Sequence, residues 1–179
     1  MATPTTLPAS FTAGQVLTAA QMNDLRGAFR VLQVVSTTKT DTFTTASTSF
    51  TDVTGLTVTI TPQSSTSKIL VLAQVSASED YGVSAGFTRL VRGATAIDVG
   101  DTAGSRTSSS FSPSVNNTAT ALTGSLVFLD SPATTSATTY AIQARTNSGS
   151  FYINRSKADT DASSYPRLAS TITVMEISA

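Results

Sequence analysis

The sequence of 179 residues contains no cysteine, no histidine and no tryptophan. Without cysteine there are no disulfides, and without cysteine and histidine the usual zinc sites, Cys–His pairs and serine–histidine triads are excluded. The sequence also lacks the phosphate loop GxxxxGK[ST] and the dinucleotide fingerprint GxGxxG. These absences exclude the commonest catalytic chemistries, and we expect a protein that is not an enzyme and holds no cofactor or metal.

Charge is also scarce. Only 12% of the residues are charged and the formal net charge is zero, whereas about 25% is usual in soluble domains. A chain without a basic field does not attract nucleic acid or an anionic membrane. The longest apolar run, Ile69 to Ala73, is too short to cross a bilayer, and the N-terminus lacks the pattern of a signal peptide. We therefore expect no nucleic-acid partner, no membrane insertion and no export by the ordinary secretory route.

Serine and threonine, in contrast, make up about a third of the chain, and threonine favours strands. Short apolar or alternating segments follow one another from residue 33 to the C-terminus without helical periodicity. This pattern predicts an all-β, antiparallel jelly-roll sandwich, with an up-and-down barrel as the alternative. The predicted strands are 33–36, 49–53, 56–60, 68–76, 87–92, 94–99, 126–129, 138–145, 151–154 and 172–177; hairpin turns are predicted at 92–95 and 147–149, and loops at 100–118, 130–137 and 155–169.

Three of these strands are apolar on both faces. Ile69–Leu72 and Leu126–Leu129 are continuous apolar runs, and the last strand has Met175 and Ile177 on the face opposite a second apolar pair. In a two-layer sandwich only one face of each sheet packs into the core. The second apolar face therefore indicates cover by a neighbouring subunit.

The N-terminal part differs in character. Residues 1–16 contain prolines and small polar residues and read as an extended arm, and Thr18–Gln21 forms a capping box that starts a helix over residues 18 to 32. A short helix of this kind is marginal alone. Its narrow apolar seam is predicted to pack against copies of itself or, alternatively, against the sandwich of its own chain. The seam consists of Met22, Leu25, Phe29 and Leu32.

Some acidic residues are candidates for catalytic or metal-binding groups. Glycoside hydrolysis needs two carboxylates across a cleft, and the candidates Glu79, Asp80, Asp98 and Asp101 lie at predicted loop ends, where acids commonly cap turns. The segment Asp159–Asp161 offers oxygen ligands for calcium but lacks the further acids and the glycine of a calcium loop. We favour solvated turns for both sets.

Several segments resemble structural proteins of tailed bacteriophages. Residues 11–23, FTAGQVLTAAQMN, resemble the N-terminal segment of tail-fibre-like and minor virion proteins. The remainder is similar to a module of marine and cyanobacterial phage fibres, and the similarity is carried by LQVVS at 32–36, FTDVTGL at 50–56, TP at 61–62 followed by SKIL at 67–70, and ITVMEI at 172–177. One departure is that the predicted head follows the helix directly, without the long shaft of many tail fibres.

The resemblance implies a non-enzymatic, homotrimeric appendage of a virion that is assembled in the bacterial cytoplasm. Residues 1–33 would anchor it to a tail adaptor, baseplate or capsid protein, and residues 34–179 would expose a β-rich head to a host-surface polysaccharide or protein. By analogy it implies the trimeric jelly roll of tumour-necrosis-factor-like proteins. The missing shaft keeps a capsid decoration or head-fibre role open, and a polysaccharide-degrading tail enzyme is a third, less favoured alternative.

The resemblance and the apolar pattern together assign roles to particular residues. The predicted trimer interface comprises Met22, Leu25, Phe29, Leu32, Met175 and Ile177. Host contact is expected from aromatic and arginine side chains in the predicted loops. These candidates are Tyr81, Arg106, Tyr165 and Arg167. Phe111 lies in the same loops. The alternative is that Phe111 and Tyr165 pack back onto the sandwich, while the arginines form ion pairs or remain solvated.

Overall fold

The computed structural model describes residues 31–80, 85–115 and 117–178, together with residues 14, 16, 18, 19 and 22. Ala19 and Met22 are helical, and the Met22 amide donates to the Thr18 carbonyl at 3.0 Å. This places the start of a helix where it was predicted. The predicted extent of the helix is wrong at its far end, because β1 begins at Val31 and includes Leu32. Pairing of this segment with the C-terminal strand outweighs its weak helical preference.

The described part of the chain forms ten strands, which include all the predicted ones and one short strand, β2, that was not predicted. The strands are β1 (Val31–Lys39), β2 (Phe43–Thr45), β3 (Thr51–Ile60), β4 (Lys68–Glu79), β5 (Gly86–Arg92), β6 (Thr95–Ile97), β7 (Leu122–Asp130), β8 (Thr138–Thr146), β9 (Phe151–Ile153) and β10 (Ser170–Ile177).

The strands form two antiparallel sheets that curl into a half-barrel, which confirms the all-β, antiparallel class. The smaller sheet has four strands in the order β3-β8-β5-β6. In the six-stranded sheet β7 pairs with one edge of β4, while β10 and then β9 pair with its other edge. β1 and β2 lie beyond β10 and β9. Only β5 and β6 are neighbours in both sequence and sheet, whereas consecutive strands pair throughout an up-and-down barrel.

The hydrophobic core lies between the two sheets. Ile69, Val71 and Val75 of β4 alternate with outward-facing residues and are fully buried, and Tyr140 and Ile142 of β8 meet them from the other sheet. Burying one aliphatic side chain stabilises a fold by about 1.5–3 kcal/mol. The period-two alternation of these strands therefore fixes which face of each sheet is the inner one.

A fully buried asparagine connects separate segments of the six-stranded sheet at points where the strands begin or end. Asn154 follows β9 with a φ of 64°. Its Nδ2 donates to the carbonyls of Lys39 at 2.8 Å and Asp41 at 2.9 Å, and its Oδ1 accepts from the Ser170 hydroxyl at 2.6 Å. The segment between β1 and β2 and the start of β10 are thus joined through one side chain, which satisfies polar groups that burial would otherwise leave unpaired.

A second buried polar group connects the two sheets. Asp130, at the end of β7, accepts hydrogen bonds from Arg92 of β5 at 2.7 and 2.8 Å and from the Tyr140 hydroxyl of β8 at 2.6 Å. Burial and the neighbouring carboxylate raise the pKa of Tyr140 above its ordinary value. The phenol therefore stays a donor, and it links the edge strand of one sheet to the centre of the other.

The predicted segments 49–53 and 56–60 form one strand rather than two. β3 spans both, with a break in its pairing register between Asp52 and Thr57. Gly55, at this break, has a φ of 82°, a conformation that residues with a side chain rarely adopt. The glycine thus accommodates a bulge within a continuous strand.

The two predicted hairpin turns have different outcomes. The turn at 92–95 is confirmed, since Arg92 pairs with Thr95 across β5 and β6. Residues 147–149 also turn, but β8 and β9, which they connect, belong to different sheets. The prediction of a hairpin there is therefore wrong, because a local turn signal does not determine which strands pair.

Candidate interaction surface

The outer face of the six-stranded sheet points away from the core and is formed by alternate residues of β1, β10, β4 and β7. Because these strands are in register, the side chains stand in rows across the sheet. The rows are Val34–Met175–Leu70–Leu129, Ser36–Thr173–Leu72–Val127 and Thr38–Thr171–Gln74–Ser125. The first row, with the neighbouring pair Val31 and Ile177, is the apolar end of this face, and the third row is its hydroxyl end.

Large apolar side chains remain accessible on this outer face. Val127 is 67% exposed, Leu129 57%, Val34 54% and Val31 50%. Side chains of this size gain free energy when they leave water, at about 25 cal/mol per Å² of apolar surface. Contiguous exposed apolar groups on a folded protein mark sites of association. This face is therefore suited to burial against another surface.

The hydroxyl end is already organised by cross-strand hydrogen bonds. The hydroxyls of Ser36 and Thr173 lie 2.8 Å apart, and those of Thr38 and Thr171 lie 3.1 Å apart. Gln74 makes no side-chain hydrogen bond to any described residue. A shallow depression of about 420 Å³ opens here over β10, β4 and β7. Its polar lining groups would be available to a neighbouring surface.

Charge is almost absent from this face. The one charged side chain among its described residues is Lys68, which lies at the margin opposite Ile177 and donates to the Ser131 hydroxyl at 2.7 Å. The face can bury apolar area and exchange hydrogen bonds, and its described residues include no acidic side chain. Association through it should therefore be insensitive to pH and to salt.

The predicted interface residues are distributed between two places. Met175 and Ile177 lie on the apolar end, half-buried. Met22 is 51% exposed in the N-terminal segment, and Leu32 lies half-buried in β1 rather than on a helix. Leu25 and Phe29 fall outside the described residues. The structure thus brings Met175 and Ile177 together, whereas the helical seam as predicted loses Leu32.

The residues that contribute most exposed area to this face were not predicted from the sequence. Val127, Leu129 and Val34 were not named as interface residues, although the strand of Val127 and Leu129 was predicted to be apolar on both faces. An apolar run such as 126–129 gives no indication of which alternate set points inward. The signal that resolves it is the pairing of β7 with β4, which sets Leu126 beside the inward-facing Ala73.

The predicted receptor residues lie in two separate loops. Arg106 is exposed and donates to the Ala103 carbonyl of its own loop at 3.3 Å. In the second loop Arg167 is ion-paired with Asp159 at 2.9 Å, and Tyr165 is half-buried. Tyr81 falls outside the described residues. No described contact joins the two loops into one site.

Two other sequence hypotheses concern these loops. Asp159 also accepts a hydrogen bond from Arg155 at 2.7 Å, so both of its carboxylate oxygens are ion-paired with arginines, as in a polar turn. Phe111 packs against the core over Gly124, where an added Cβ would approach the ring to 2.4 Å. The alternative that Phe111 packs back onto the sandwich is therefore confirmed.

The acids considered for catalysis are held in different ways. Glu79 is buried and accepts a hydrogen bond from the Gly86 amide at 2.7 Å, and burial raises the pKa of its carboxyl. Burial likewise raises the pKa of Asp98, while Asp101 is exposed. Within the described residues no three acidic side chains gather into a group able to hold a metal ion.

Asp80 is the most extensively bonded of these acids. Burial raises its pKa, but hydrogen bonds from the Ser150 amide at 2.8 Å and the Tyr152 hydroxyl at 3.0 Å, with the Lys157 ammonium at 3.2 Å, outweigh that effect and lower it. The ionised carboxylate thus fastens β9 and its flanking loops to the end of β4.

The outer face of the four-stranded sheet is polar and internally bonded. Gln143 of β8 donates to the Asp52 carboxylate at 2.8 Å and accepts from Arg89 Nε at 2.9 Å. The guanidinium of Arg89 lies 4.1 Å from the centre of the Phe50 ring, and that of Arg145 lies 5.8 Å from the same ring. No described strand residue of this sheet exposes a large apolar side chain.

No protein-family model matches the chain, and no curated protein matches it significantly. In the described part of the chain, no helix has the length and apolar character needed to span a membrane. The properties of the outer faces and loops are therefore the basis for a functional proposal.

Proposed function

We propose that this protein is a non-enzymatic surface protein of a tailed-phage virion, a short homotrimeric tail fibre or adhesin. Residues 1–33 attach it to the virion, and residues 34–179 form a jelly-roll head of the tumour-necrosis-factor-like kind that contacts the host. The observation that supports this proposal most strongly is the exposed apolar end of the six-stranded sheet, which the rest of its own described chain leaves uncovered.

In the proposed assembly this face is the subunit interface. Three copies related by a threefold axis would each contribute the same set of rows, so that the apolar ends pack together and the hydroxyl ends exchange hydrogen bonds. Met175, Ile177, Leu70 and Leu129 would leave water on assembly, and the free energy gained would offset the entropy lost by association. The N-terminal helix lies next along the chain from the apolar end, since β1 enters the sheet there at Val31.

The oligomeric state of the purified full-length protein tests the interface. Light scattering coupled to size exclusion should give a mass three times that of the single chain. A stable monomer at micromolar concentration would contradict the proposed assembly, and a stable dimer would contradict the threefold arrangement alone.

The place on the virion requires a second experiment. A chain that lacks residues 1–30 keeps β1 intact, so it should fold and yet fail to incorporate into virions. Cryo-electron microscopy of intact particles should show the wild-type chain at a tail adaptor or baseplate. Density on the capsid lattice would instead identify a decoration or head-fibre protein, and normal incorporation of the truncated chain would place the attachment site in the head.

A further inference from the structure

Arginines on the outer face of the four-stranded sheet differ from the other basic residues in having few partners. Nine basic side chains are described, and five of them form ion pairs: Lys39, Arg92, Arg155, Lys157 and Arg167. Of the other four, Lys68 and Arg106 donate to oxygens beside them. Arg89 uses only its Nε, toward the neutral amide of Gln143. Arg145 makes no hydrogen bond to any described residue, and its Nε is buried without a partner.

These two arginines lie close together and share one aromatic ring. Phe87 pairs with Arg145 and Arg89 pairs with Gln143 across β5 and β8, so the two arginines are diagonal neighbours on adjacent strands. Both guanidinium groups lie over Phe50, and that of Arg145 also lies 5.9 Å from the centre of the Phe87 ring. Such contacts orient the planar cations and restrict their rotation.

The only acid in this group does not neutralise them. The described contact of the Asp52 carboxylate is with Gln143, and it forms no ion pair with either arginine. Two cations on one side of one aromatic cluster repel each other, and an added anion would relieve that repulsion. A carboxylate is a planar anion that can accept two parallel hydrogen bonds from a guanidinium.

We propose that Arg89 and Arg145, oriented by Phe50, form a binding site for the carboxylate groups of acidic polysaccharides. The site lies on an open sheet face beside half-buried phenyl rings, which suits a flat sugar ring. The site follows from this geometry alone, whereas its use in host attachment rests on the proposed function, and it would supplement the loop residues with a position on a sheet.

Binding of trigalacturonic acid to the full-length protein tests the site directly. Isothermal titration or NMR titration should show saturable binding that weakens about tenfold in Arg145→Gln and in Arg89→Gln. The methyl ester of the same trisaccharide should also bind about tenfold more weakly, since it retains the sugar rings but lacks the charges. Lys157→Gln, which removes a basic side chain from the loop after β9, outside this face and outside the predicted receptor residues, should bind as the wild type does.

Several results would overturn the proposal. These are absence of binding at millimolar trisaccharide, equal affinity for the methyl ester, or an equal loss in Lys157→Gln. Equal affinity for an acidic peptide such as tri-aspartate would reject polysaccharide as the ligand class. The ester comparison uses unmutated protein and so stands even if a variant misfolds, and thermal melts identify such a variant. Light scattering on the same samples measures the oligomeric state independently. A failure of ligand binding can therefore be told apart from a failure of the protein to form trimers.

Discussion

The outer face of the six-stranded sheet exposes Val34, Val127 and Leu129, whereas the outer face of the four-stranded sheet presents Gln143 with its partners and rows of threonine. Both faces belong to antiparallel sheets that share one core. Several polar groups of the second face bond to one another, and its large apolar side chains, Phe50 and Phe87, are half-buried beneath arginine side chains. The apolar groups of the first face have no such cover within their own described chain.

The difference shows which strands depart from the alternation expected of a sandwich that buries all its large apolar side chains within one chain. In β3, Val58 and Ile60 are buried while Thr57 and Thr59 face solvent, which is the alternation that one core requires. In β4 the residues between the buried ones are Leu70 and Leu72. Apolar residues at these positions do not add to the core of a single domain. Their presence therefore favours burial of this outer face against another subunit.

The strongest test places charge on the outer face that we propose to be buried. Val127→Lys with Leu129→Lys changes two side chains that are more than half exposed in the single chain, so folding should be little affected. Burying the two ammonium groups in an apolar interface costs on the order of several kcal/mol. We expect the double variant to be a folded monomer by light scattering and circular dichroism.

The matched control places the same charges on the other sheet. Thr57→Lys with Thr59→Lys alters two exposed positions of β3 and should leave the trimer mass unchanged. If the first double variant kept its trimer mass, or if both pairs dissociated the protein equally, the contrast between the two faces would have no bearing on assembly.

The sequence was sufficient to predict the fold class and the existence of this second apolar surface, but not its composition. Ile69 and Leu70 are equally apolar, and only the pairing of β4 with β10 and β7 determines that Ile69 faces the core. Leu32 shows the same limit. It fits a helical seam by spacing, yet the ladder formed with the C-terminal strand, more than a hundred residues away, places it in β1.

The polar connections inside the fold were not predicted either. Asn154 bonds to Lys39 and Asp41, more than a hundred residues earlier, and Asp130 bonds to Arg92 and Tyr140, which belong to the other sheet. In the sequence these residues resemble ordinary turn and surface positions. Their roles depend on burial, which arises only once both sheets have formed.

A second, smaller effect is a pH dependence that we expect for the stability of the fold but not for assembly of the trimer. Burial raises the pKa of Glu176, but the hydrogen bond from Gln33 at 2.6 Å and that from the Gln63 amide at 2.7 Å help to lower it below its ordinary value. A carboxyl with a lowered pKa in the folded state stabilises the fold above its unfolded pKa, about 4.3, and that stabilisation is lost as pH falls through the acid range.

The variant Glu176→Gln should therefore unfold more easily than the wild type at pH 7, by about 1–2 kcal/mol, and the difference should shrink toward pH 3. Asp80, whose pKa is also lowered, would leave part of the acid sensitivity in the variant. Chemical denaturation of the wild type and the variant between pH 3 and pH 7 measures both the stability difference and the remaining acid sensitivity. Between pH 5 and 9 the trimer mass should not change, because the chain contains no histidine and the described residues of the outer face of the six-stranded sheet include no acidic side chain. A constant stability difference at all pH values would show that the carboxylate charge is unimportant.

The smallest expected effect compares one glutamine from each face. Gln143 bonds to both Asp52 and Arg89, whereas Gln74 makes no side-chain hydrogen bond to a described residue. Both lie in central strands, so replacement by alanine changes strand preference equally at the two positions, and the difference between the variants reports the hydrogen bonds. Gln143→Ala should lose about 1 kcal/mol of unfolding free energy in urea, while Gln74→Ala should lie within about 0.5 kcal/mol of the wild type. The measurement belongs at a protein concentration low enough to populate monomer, because in an assembled trimer Gln74 would acquire neighbours. Equal losses for both variants in the monomer would mean that the bonds of Gln143 add nothing, and the four-stranded face would then be no more self-sufficient than the six-stranded one.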